Sequence, residues 1–452
     1  MKITIINGSP KGNNSVTLHT ALYIQKKFPE HEFTLVNAAA KIRQYEKEFS
    51  EAADKLKEAD IIIFIYPVYT FLVPSQLHRF VELMKESGID FSGKTASQIT
   101  TSKHFYDVTA HGFINDNCTD MGMNIVGGLS ADMEDLLKPE GRKQAEDFMK
   151  FLVWSVENGI FEDAAGRKIN ECPKGGNEAS QETAAGIPVA DFTDESKPGN
   201  VVIVADLKES DHKLRKMIKD FTDRFPRKCR VINIREFDFK GGCLGCMSCV
   251  GSGKCIYNDG FEDLLRNEIQ KSESIIYAFT IRDHSMGSRF KMYDDRQFCN
   301  GHRTVIMGMP VGYIINGNLD CEPNLRLTLK SRGEVGGNFV AGFGTDEKKL
   351  DELSKKLVFA LDNKYAPPSN FYGVGGSKIF RDLIYQMRGL LRADHKFFKS
   401  HGQYDFPHKN KGKTAAMYLV GILFNNEKLK KKMGSRLDDG MTAPYKKVVD
   451  RK

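Results

Sequence analysis

The sequence lacks an apolar segment long enough to cross a membrane. The run AAMYLVGILF, at residues 415–424, is far shorter than the roughly 20 residues that a spanning helix needs. Near the amino terminus, the apolar run in MKITIINGSPKG ends after a few residues at a Gly/Pro loop, which is too short for a signal peptide. We therefore expect a cytoplasmic protein with no membrane span.

Several motifs that would assign a function are also missing. The chain has no G-x-x-x-x-G-K-[ST] loop and no G-x-G-x-x-G, which argues against ATP binding and against a Rossmann-type NAD site. No histidine stands near a G-x-S-x-G or its equivalent, so a hydrolytic triad is not indicated. These absences leave other kinds of cofactor chemistry open.

Excess positive charge is absent from most of the chain. The formal charge is +7, but residues 364–452 hold 19 Lys/Arg and 7 Asp/Glu, a net +12, which leaves −5 for the rest. No nucleic-acid module or aromatic-basic interleaving accompanies this basic tail. We therefore expect a solvated surface there and no nucleic-acid partner, with contact to an anionic membrane surface or an acidic partner protein as the alternatives.

Cysteine does not follow the dense, even pattern of a secreted disulfide scaffold. Five of the nine cysteines stand alone, at Cys118, Cys172, Cys229, Cys299 and Cys321. The other four fall within thirteen positions of the stretch GGCLGCMSCVGSGKC, as Cys243, Cys246, Cys249 and Cys255. In a reducing compartment, such a group indicates metal or redox chemistry.

The apolar pattern predicts two copies of one α/β unit. Short apolar runs at 2–7, 32–38, 59–69, 94–100 and 123–128 alternate with helical stretches, which predicts a parallel sheet covered on both faces. The same rhythm returns at 200–206, 229–239, 273–281, 303–315 and 336–344. The predicted division is a first α/β domain at 1–159, a linker at 160–198, a second at 199–363, and a basic helical extension at 364–452.

The segment NGSPKGNNSVT follows the first strand and opens the first helix. Gly8 and Gly12 let the backbone approach a ligand, and Ser9, Asn13, Asn14, Ser15 and Thr17 supply short donors beside exposed helix amides. This pattern indicates a phosphate site, with a plain glycine turn and N-cap as the alternative. The corresponding loop of the second copy carries Asp206, Glu209 and Asp211 instead, so no second phosphate is expected there.

GSPKGNNSVT, together with YPVYTFLVPSQLHRF after the third strand, resembles the NAD(P)H-dependent FMN reductases and quinone reductases of flavodoxin-like fold. The resemblance implies two tandem flavodoxin-like doubly wound parallel sheets forming a pseudo-dimer. It also implies that the FMN phosphate is bound by Ser9, Lys11, Asn13, Asn14 and Ser15. The flavin ring would be lined by Pro67, Val68, Tyr69, Thr70 and Phe71, and a third loop would add Thr101, Ser102, Lys103 and His104.

The family's lysine and Asp-Arg pair occur only in the second copy, as Lys291, Asp295 and Arg296 in HSMGSRFKMYDDRQF. At the matching place the first copy has His78, Leu83 and Met84. In the family this region lies at a dimer interface over the partner's flavin. The resemblance thus implies that the second copy provides the far wall of the first copy's flavin pocket.

The cysteine spacing C-x2-C-x2-C-x5-C suits a [4Fe-4S] cluster held by Cys243, Cys246, Cys249 and Cys255. It is similar to the spacing in the iron-sulfur flavoproteins, which hold a cluster in this loop. Two alternatives stay open, namely free thiols or a redox disulfide, and zinc.

We therefore predict an FMN-dependent oxidoreductase that takes electrons from NAD(P)H or a ferredoxin-like redox partner. The acceptor would be a small molecule such as a quinone, flavin, nitro or azo aromatic, or activated alkene. The alternative is a non-catalytic flavin and iron-sulfur electron carrier. The chain would be a monomeric pseudo-dimer or a homo-oligomer. No catalytic residue is assigned, although His104, Tyr106 and His284 are candidate proton donors.

Overall fold

The computed structural model describes residues 1–162, 192–366, 368, 370–406 and 411–424. Two compact units divide the chain, at Met1–His395 and Lys396–Lys452, and both sheets belong to the first. Most of the linker predicted at 160–198 lies outside the described residues. The predicted boundaries at 159, 198 and 363 stay predictions.

The first sheet is parallel throughout, with the strand order β2-β1-β3-β4-β5 and with β6 also paired to β4. Its strands are β1 (Lys2–Asn7), β2 (Glu32–Val36), β3 (Ile61–Pro67), β4 (Thr95–Ser102), β5 (Asn124–Ile125) and β6 (Leu129–Asp132). The strand predicted at 123–128 is in fact shorter, because it ends at Ile125 before two glycines. A side chain at Gly128 would contact Gln98 at 2.5 Å, so the chain passes close to β4 there.

Helices cover both faces of this sheet. They are α1 (Val16–Lys27), α2 (Ile42–Tyr45), α3 (Ser50–Glu58), α4 (Ser75–Glu86), α5 (Asp107–Asp120) and α6 (Pro139–Asn158). Ser15 caps α1, since its side chain accepts a hydrogen bond from Leu18 N. The continuous apolar run of β3 is buried on both faces, as expected for a central parallel strand.

The second sheet repeats the first. Its order is β11-β10-β9-β7-β8, which places the strands in the same relative positions as in the first sheet. The strands are β7 (Val201–Ala205), β8 (Cys229–Asn233), β9 (Ser274–Thr280), β10 (Pro310–Asn316) and β11 (Phe339–Gly344). The helices are α7 (His212–Arg224), α8 (Cys249–Ser252), α9 (Phe261–Asp263), α10 (Gly287–Arg296), α11 (Pro323–Val335) and α12 (Glu347–Asn363), with a π-helical turn at Leu264–Ile269.

The two α/β halves pack through equivalent helices. Helix α4 packs against α10, and each follows the third strand of its half; α5 likewise packs against α11. Polar contacts join both pairs: Ser288 N donates to Glu82 at 2.8 Å, and Asn324 Nδ2 donates to the Thr109 carbonyl at 3.0 Å. The predicted tandem pseudo-dimer fold is therefore confirmed.

After the second half the chain continues as α13 (Phe371–Gln386), α14 (Arg392–Ser400) and α15 (Lys411–Phe424). Helix α13 packs on α11, where Gly373 lets it approach: a side chain there would come within 2.8 Å of the Glu334 carbonyl. In α15, the described side chains of Met417, Tyr418, Leu419 and Ile422 are exposed.

Among the described residues, no helix combines the length and apolar character needed to cross a membrane.

Candidate functional site at the junction of the two halves

The phosphate loop lies between β1 and α1, as the sequence predicts. Gly12 has φ +55°, and Asn7 holds the turn by donating to the Gly12 carbonyl at 3.0 Å and accepting from Ser9 N at 3.2 Å. Lys11 is exposed and forms no ion pair with the described residues. Its ammonium is thus available to an anion at the start of α1.

The loop at residues 67–71 is a tight turn with strained backbone. Thr70 and Phe71 have φ values of +46° and +69°, and Tyr69 N and Leu72 N donate to each other's carbonyls. Phe71 is buried under Phe105, with ring centroids 5.0 Å apart, so Tyr69 is the more accessible ring. Burial raises the pKa of the Tyr69 hydroxyl, which stays protonated.

The second half holds this turn from α10. Lys291 donates to the Tyr69 carbonyl at 2.8 Å, while Asp295 accepts from Thr70 Oγ1 at 3.3 Å and from Ser75 N, the first residue of α4, at 2.8 Å. Lys291 and Asp295 also form a fully buried ion pair. Burial lowers the pKa of Lys291 and raises that of Asp295, whereas the ion pair opposes both shifts.

The third loop, after β4, joins the first. Thr101 and Thr17 share a buried hydrogen bond of 2.6 Å between their hydroxyls, and Lys103 pairs with Asp132 at 2.9 Å. His104 is exposed and bonded to Asp107. The third loop therefore contributes to the cavity the hydroxyl groups of Thr101 and Ser102 and the ammonium group of Lys103, which is already paired with Asp132.

The cysteine loop, residues 241–255, lies directly on the turn at Tyr69. A side chain at Gly245, where φ is +60°, would collide with the Tyr69 hydroxyl. Gln76 on α4 donates to the Cys243 carbonyl at 3.1 Å, and Arg296 on α10 donates to the Gly241 carbonyl at 3.0 Å. Elements from both halves thus hold this loop beside the predicted flavin loop.

The four loop cysteines are free thiols. Burial raises the pKa of Cys243 to about 12 and also raises that of Cys249. Cys246 is exposed. Without a metal to stabilise thiolates, Cys243 and Cys249 are therefore neutral near pH 7.

All these loops line one cavity of about 540 Å³, a size within the range of small-molecule sites. It is lined by Ser9, Lys11, Asn14, Ser15, Pro67, Val68, Tyr69, Thr70, Phe71, Thr101, Ser102 and Lys103 of the predicted flavin residues, and by all four loop cysteines. Asn13 and His104 are exposed and do not line it. The structure thus brings together nearly all the predicted cofactor residues.

The resemblance implied that the second half provides the far wall of this cavity, but it did not identify the residues of that wall. Phe298, His302 and the α13 residue Phe380 line it, as does Asp394 near the start of α14. The predicted proton donors His104, Tyr106 and His284 are not among the lining residues; Tyr106 donates to the Tyr372 carbonyl at 2.8 Å. No local pattern marks the wall, because its residues come from segments far apart in sequence.

A second cavity, of about 1360 Å³, lies near the equivalent loops of the second half. Its lining includes Arg235 and Asp206, which contact each other at 2.6 Å, and Arg282, which contacts Asp211 at 2.9 Å. Here the acidic side chains are bound to arginines. The expectation that no second phosphate binds here stays a prediction.

The fold and the site together define a flavodoxin-like α/β protein whose phosphate-type loop and cysteine loop share one cavity. Residues 1–142 match the family model described as a flavodoxin-like fold. This match confirms the predicted resemblance to proteins of flavodoxin-like fold.

Two curated relatives are iron-sulfur flavoproteins. One, from Archaeoglobus fulgidus, is 27% identical over 173 residues, which cover 35% of this chain and 78% of the relative. The other, from Clostridioides difficile, is 25% identical over 169 residues, covering 33% and 75%. A solved structure of an FMN-dependent NADH-azoreductase from Bacillus anthracis, in complex with FMN, is 13% identical and has a TM-score of 0.27, covering 35% of this chain and all of that one.

Proposed function

We propose that the protein is an FMN-dependent oxidoreductase that passes electrons from NAD(P)H or a small redox protein to a small organic acceptor, with a [4Fe-4S] cluster on the cysteine loop. One observation carries this proposal: the phosphate-type loop, the turn at Tyr69 and all four loop cysteines line a single cavity. The curated iron-sulfur flavoprotein relatives support the same pairing of cofactors.

The first loop fits the phosphate of FMN. The α1 amino terminus, capped by Ser15, carries the partial positive charge that attracts an anion, and the exposed Lys11 ammonium adds a full charge. Neither Asp nor Glu occurs between Ile6 and Lys27 to oppose a phosphate. Ser9, Asn14 and Ser15 would complete the set of donors.

The remainder of the cavity fits a flavin ring. FMN, when bound, supplies the reversible storage of two electrons. Tyr69 offers a ring that can stack on a flat ligand, because it lines the cavity while Phe71 is packed beneath Phe105. Lys291 and Asp295 fix the turn that carries Tyr69, so the second half positions this wall.

The thiol geometry favours a cluster over zinc. A tetrahedral zinc with Zn–S bonds of about 2.3 Å would place its four sulfurs about 3.8 Å apart. Within the described part of the chain, no three cysteine sulfurs lie within 4.8 Å of one another. In a cluster each thiolate binds a different iron, so wider separations are expected. Cys243, Cys246, Cys249 and Cys255 would be the ligands.

The cavity also favours an enzyme over an electron carrier. A carrier needs only its cofactors and a docking surface, whereas this cavity extends past the flavin loops to Phe298, His302 and Phe380. That additional space can hold a small acceptor beside the flavin. NAD(P)H oxidation with an artificial acceptor separates the two functions, because a carrier should support little turnover.

A visible spectrum with iron and acid-labile sulfide assays on anaerobically purified protein tests the cofactor assignment. Flavin bands, a broad shoulder in the blue and about four irons per chain would support it. Flavin bands without iron would leave a plain FMN reductase with free thiols. A colourless protein that does not take up added FMN would refute the proposal.

A further inference from the structure

His302 and Asp394 form a hydrogen-bonded pair in the far wall of the cavity. Asp394 Oδ2 accepts from the His302 backbone amide at 3.1 Å and is 2.9 Å from His302 Nδ1. Arg303 Nε lies 3.4 Å from the other oxygen, Oδ1. The Asp394 side chain is only 3% exposed and that of His302 is 23% exposed.

The segment at residues 300–303 lies close around the Asp394 carboxylate. Gly301 has φ +59°, and a side chain there would come within 2.6 Å of Asp394 Oδ2. Arg303 is oriented by two backbone carbonyls, those of Asn300 at 2.6 Å and Cys299 at 2.8 Å. A carboxylate this deeply buried is costly unless its oxygens are bound, and the segment 300–303 binds both of them.

The hydrogen bond to Asp394 fixes the orientation of the imidazole. With Nδ1 bonded to a carboxylate, Nδ1 carries the proton, and Nε2 lies on the opposite edge of the ring. Of the cavity-lining residues in the described chain, His302 alone is a histidine. It is thus the lining residue of the type most often used for general acid–base catalysis.

A row of aromatic rings connects this histidine to the predicted flavin loop. The His302 ring is 4.9 Å from that of Phe380, Phe380 stacks on Phe105 at 4.3 Å, and Phe105 is 5.0 Å from Phe71. Phe380 belongs to α13 and Asp394 to α14, so the segment after the second sheet completes this wall.

We propose that His302, oriented by Asp394, is the proton donor to a carbonyl-type or azo-type acceptor bound in this cavity. The proposal rests on the proposed FMN-dependent function. The segment after residue 364 would then contribute to catalysis through Asp394, which positions the His302 imidazole.

An acceptor with an N=N bond, or with the two conjugated C=O bonds of a quinone, gains two electrons and two protons. Both electrons and one proton would reach one end of this conjugated system as hydride, which FMN would supply when bound and reduced. At the other end, the Nε2–H bond of the His302 imidazolium breaks as a new O–H or N–H bond forms. His302 leaves the step neutral and regains its proton from water.

The test compares two oxidants with FMN-loaded, anaerobically reduced protein in a stopped-flow instrument. Menadione, a quinone, requires protons, whereas ferricyanide takes single electrons and no proton. H302Q should slow reoxidation by menadione about 100-fold and leave reoxidation by ferricyanide unchanged. H212Q, at an exposed histidine on α7, should change neither rate. D394N should be slow with menadione, and D394E should recover part of the rate.

A second readout needs no cofactor. In protein labelled with ¹⁵N-histidine, neutral His302 should have its proton on Nδ1, and D394N should move it towards Nε2. An Nε2-protonated His302 in the wild type would overturn the proposal. So would H302Q rates that are unchanged, or equally slow with both oxidants. Failure to bind FMN would instead refute the proposed function, and the donor role with it.

Discussion

Lys291 Nζ donates a hydrogen bond of 2.8 Å to the carbonyl oxygen of Tyr69, so a helix of the second half holds the turn that lines the cavity in the first. The lysine is fully buried and paired with Asp295, which also caps the amino terminus of α4. One ion pair therefore links the packing of the halves to the shape of the site.

Replacing Lys291 by methionine should lower the free energy of unfolding by about 3–5 kcal/mol, because Asp295 would be left as a buried, uncompensated charge. The double variant K291M/D295N should lose less than K291M alone, since it removes that charge. Urea denaturation measures both. Equal stability of K291M and the wild type would show that the pair does not hold the halves together.

Lys11→Gln should weaken FMN binding about tenfold, the loss expected for one charge-assisted contact of about 1.4 kcal/mol. The salt dependence of binding should also become shallower. Titration of flavin fluorescence measures both effects. Lys26→Gln, at an exposed lysine in the last turn of α1, is the matched control and should bind as the wild type does. Unchanged affinity in K11Q would place the phosphate elsewhere.

The alternation of strands and helices was predictable because buried parallel strands are continuous apolar runs, such as IIIFIYP in β3. The phosphate-type loop and the cysteine loop could also be found, since each is one short segment with its own composition. Lys291, Asp295 and Arg296 were found through the resemblance alone.

The individual residues of the far wall could not be predicted, for a physical reason. His302, Phe380 and Asp394 meet only because α13 packs on α11, and they come from segments nearly a hundred positions apart. Neither the spacing nor the composition of any of these segments signals a site. The same limit explains why the proton donors suggested by the sequence, His104, Tyr106 and His284, lie elsewhere.

Alanine at Cys243, Cys246, Cys249 or Cys255 should abolish most of the bound iron and acid-labile sulfide while the flavin bands remain. Cys299→Ala is a demanding control, because Cys299 lines the same cavity but lies outside the four-cysteine motif. We expect C299A to keep its iron. Loss of iron in C299A, with retention in one of the other four, would reassign that ligand to Cys299.

His284 should make stability depend on pH. Burial favours its neutral form, but hydrogen bonds and charge attraction from Asp120 and Glu322 outweigh burial and raise the pKa of His284 to about 9. The unfolded value is near 6.5. The stabilising contribution, about 3 kcal/mol, should therefore be fully present below pH 6.5 and be lost as the pH rises through 9.

Urea denaturation of wild type and H284Q between pH 6 and 10 measures this effect. The difference in unfolding free energy should shrink with rising pH, whereas H212Q, at an exposed histidine, should show no such trend. A difference that stays constant across the range would mean that His284 contributes by packing and not by charge.

Gly245→Ala tests the direct contact between the cysteine loop and the flavin loop. A side chain at this position would collide with the Tyr69 hydroxyl, and φ of +60° adds strain to any residue other than glycine. G245A should therefore lower both iron content and flavin affinity. Gly251→Ala is the control, because nothing lies within 4 Å of a side chain there.

Removing the opposing hydroxyl should relieve the collision. In Y69F/G245A we expect flavin affinity and iron content to recover in part, since the backbone strain at residue 245 remains. Iron per flavin and the visible circular dichroism of the bound flavin measure the recovery. If G245A lost iron but bound flavin normally, the two loops would act independently, and the shared cavity would not couple one cofactor site to the other.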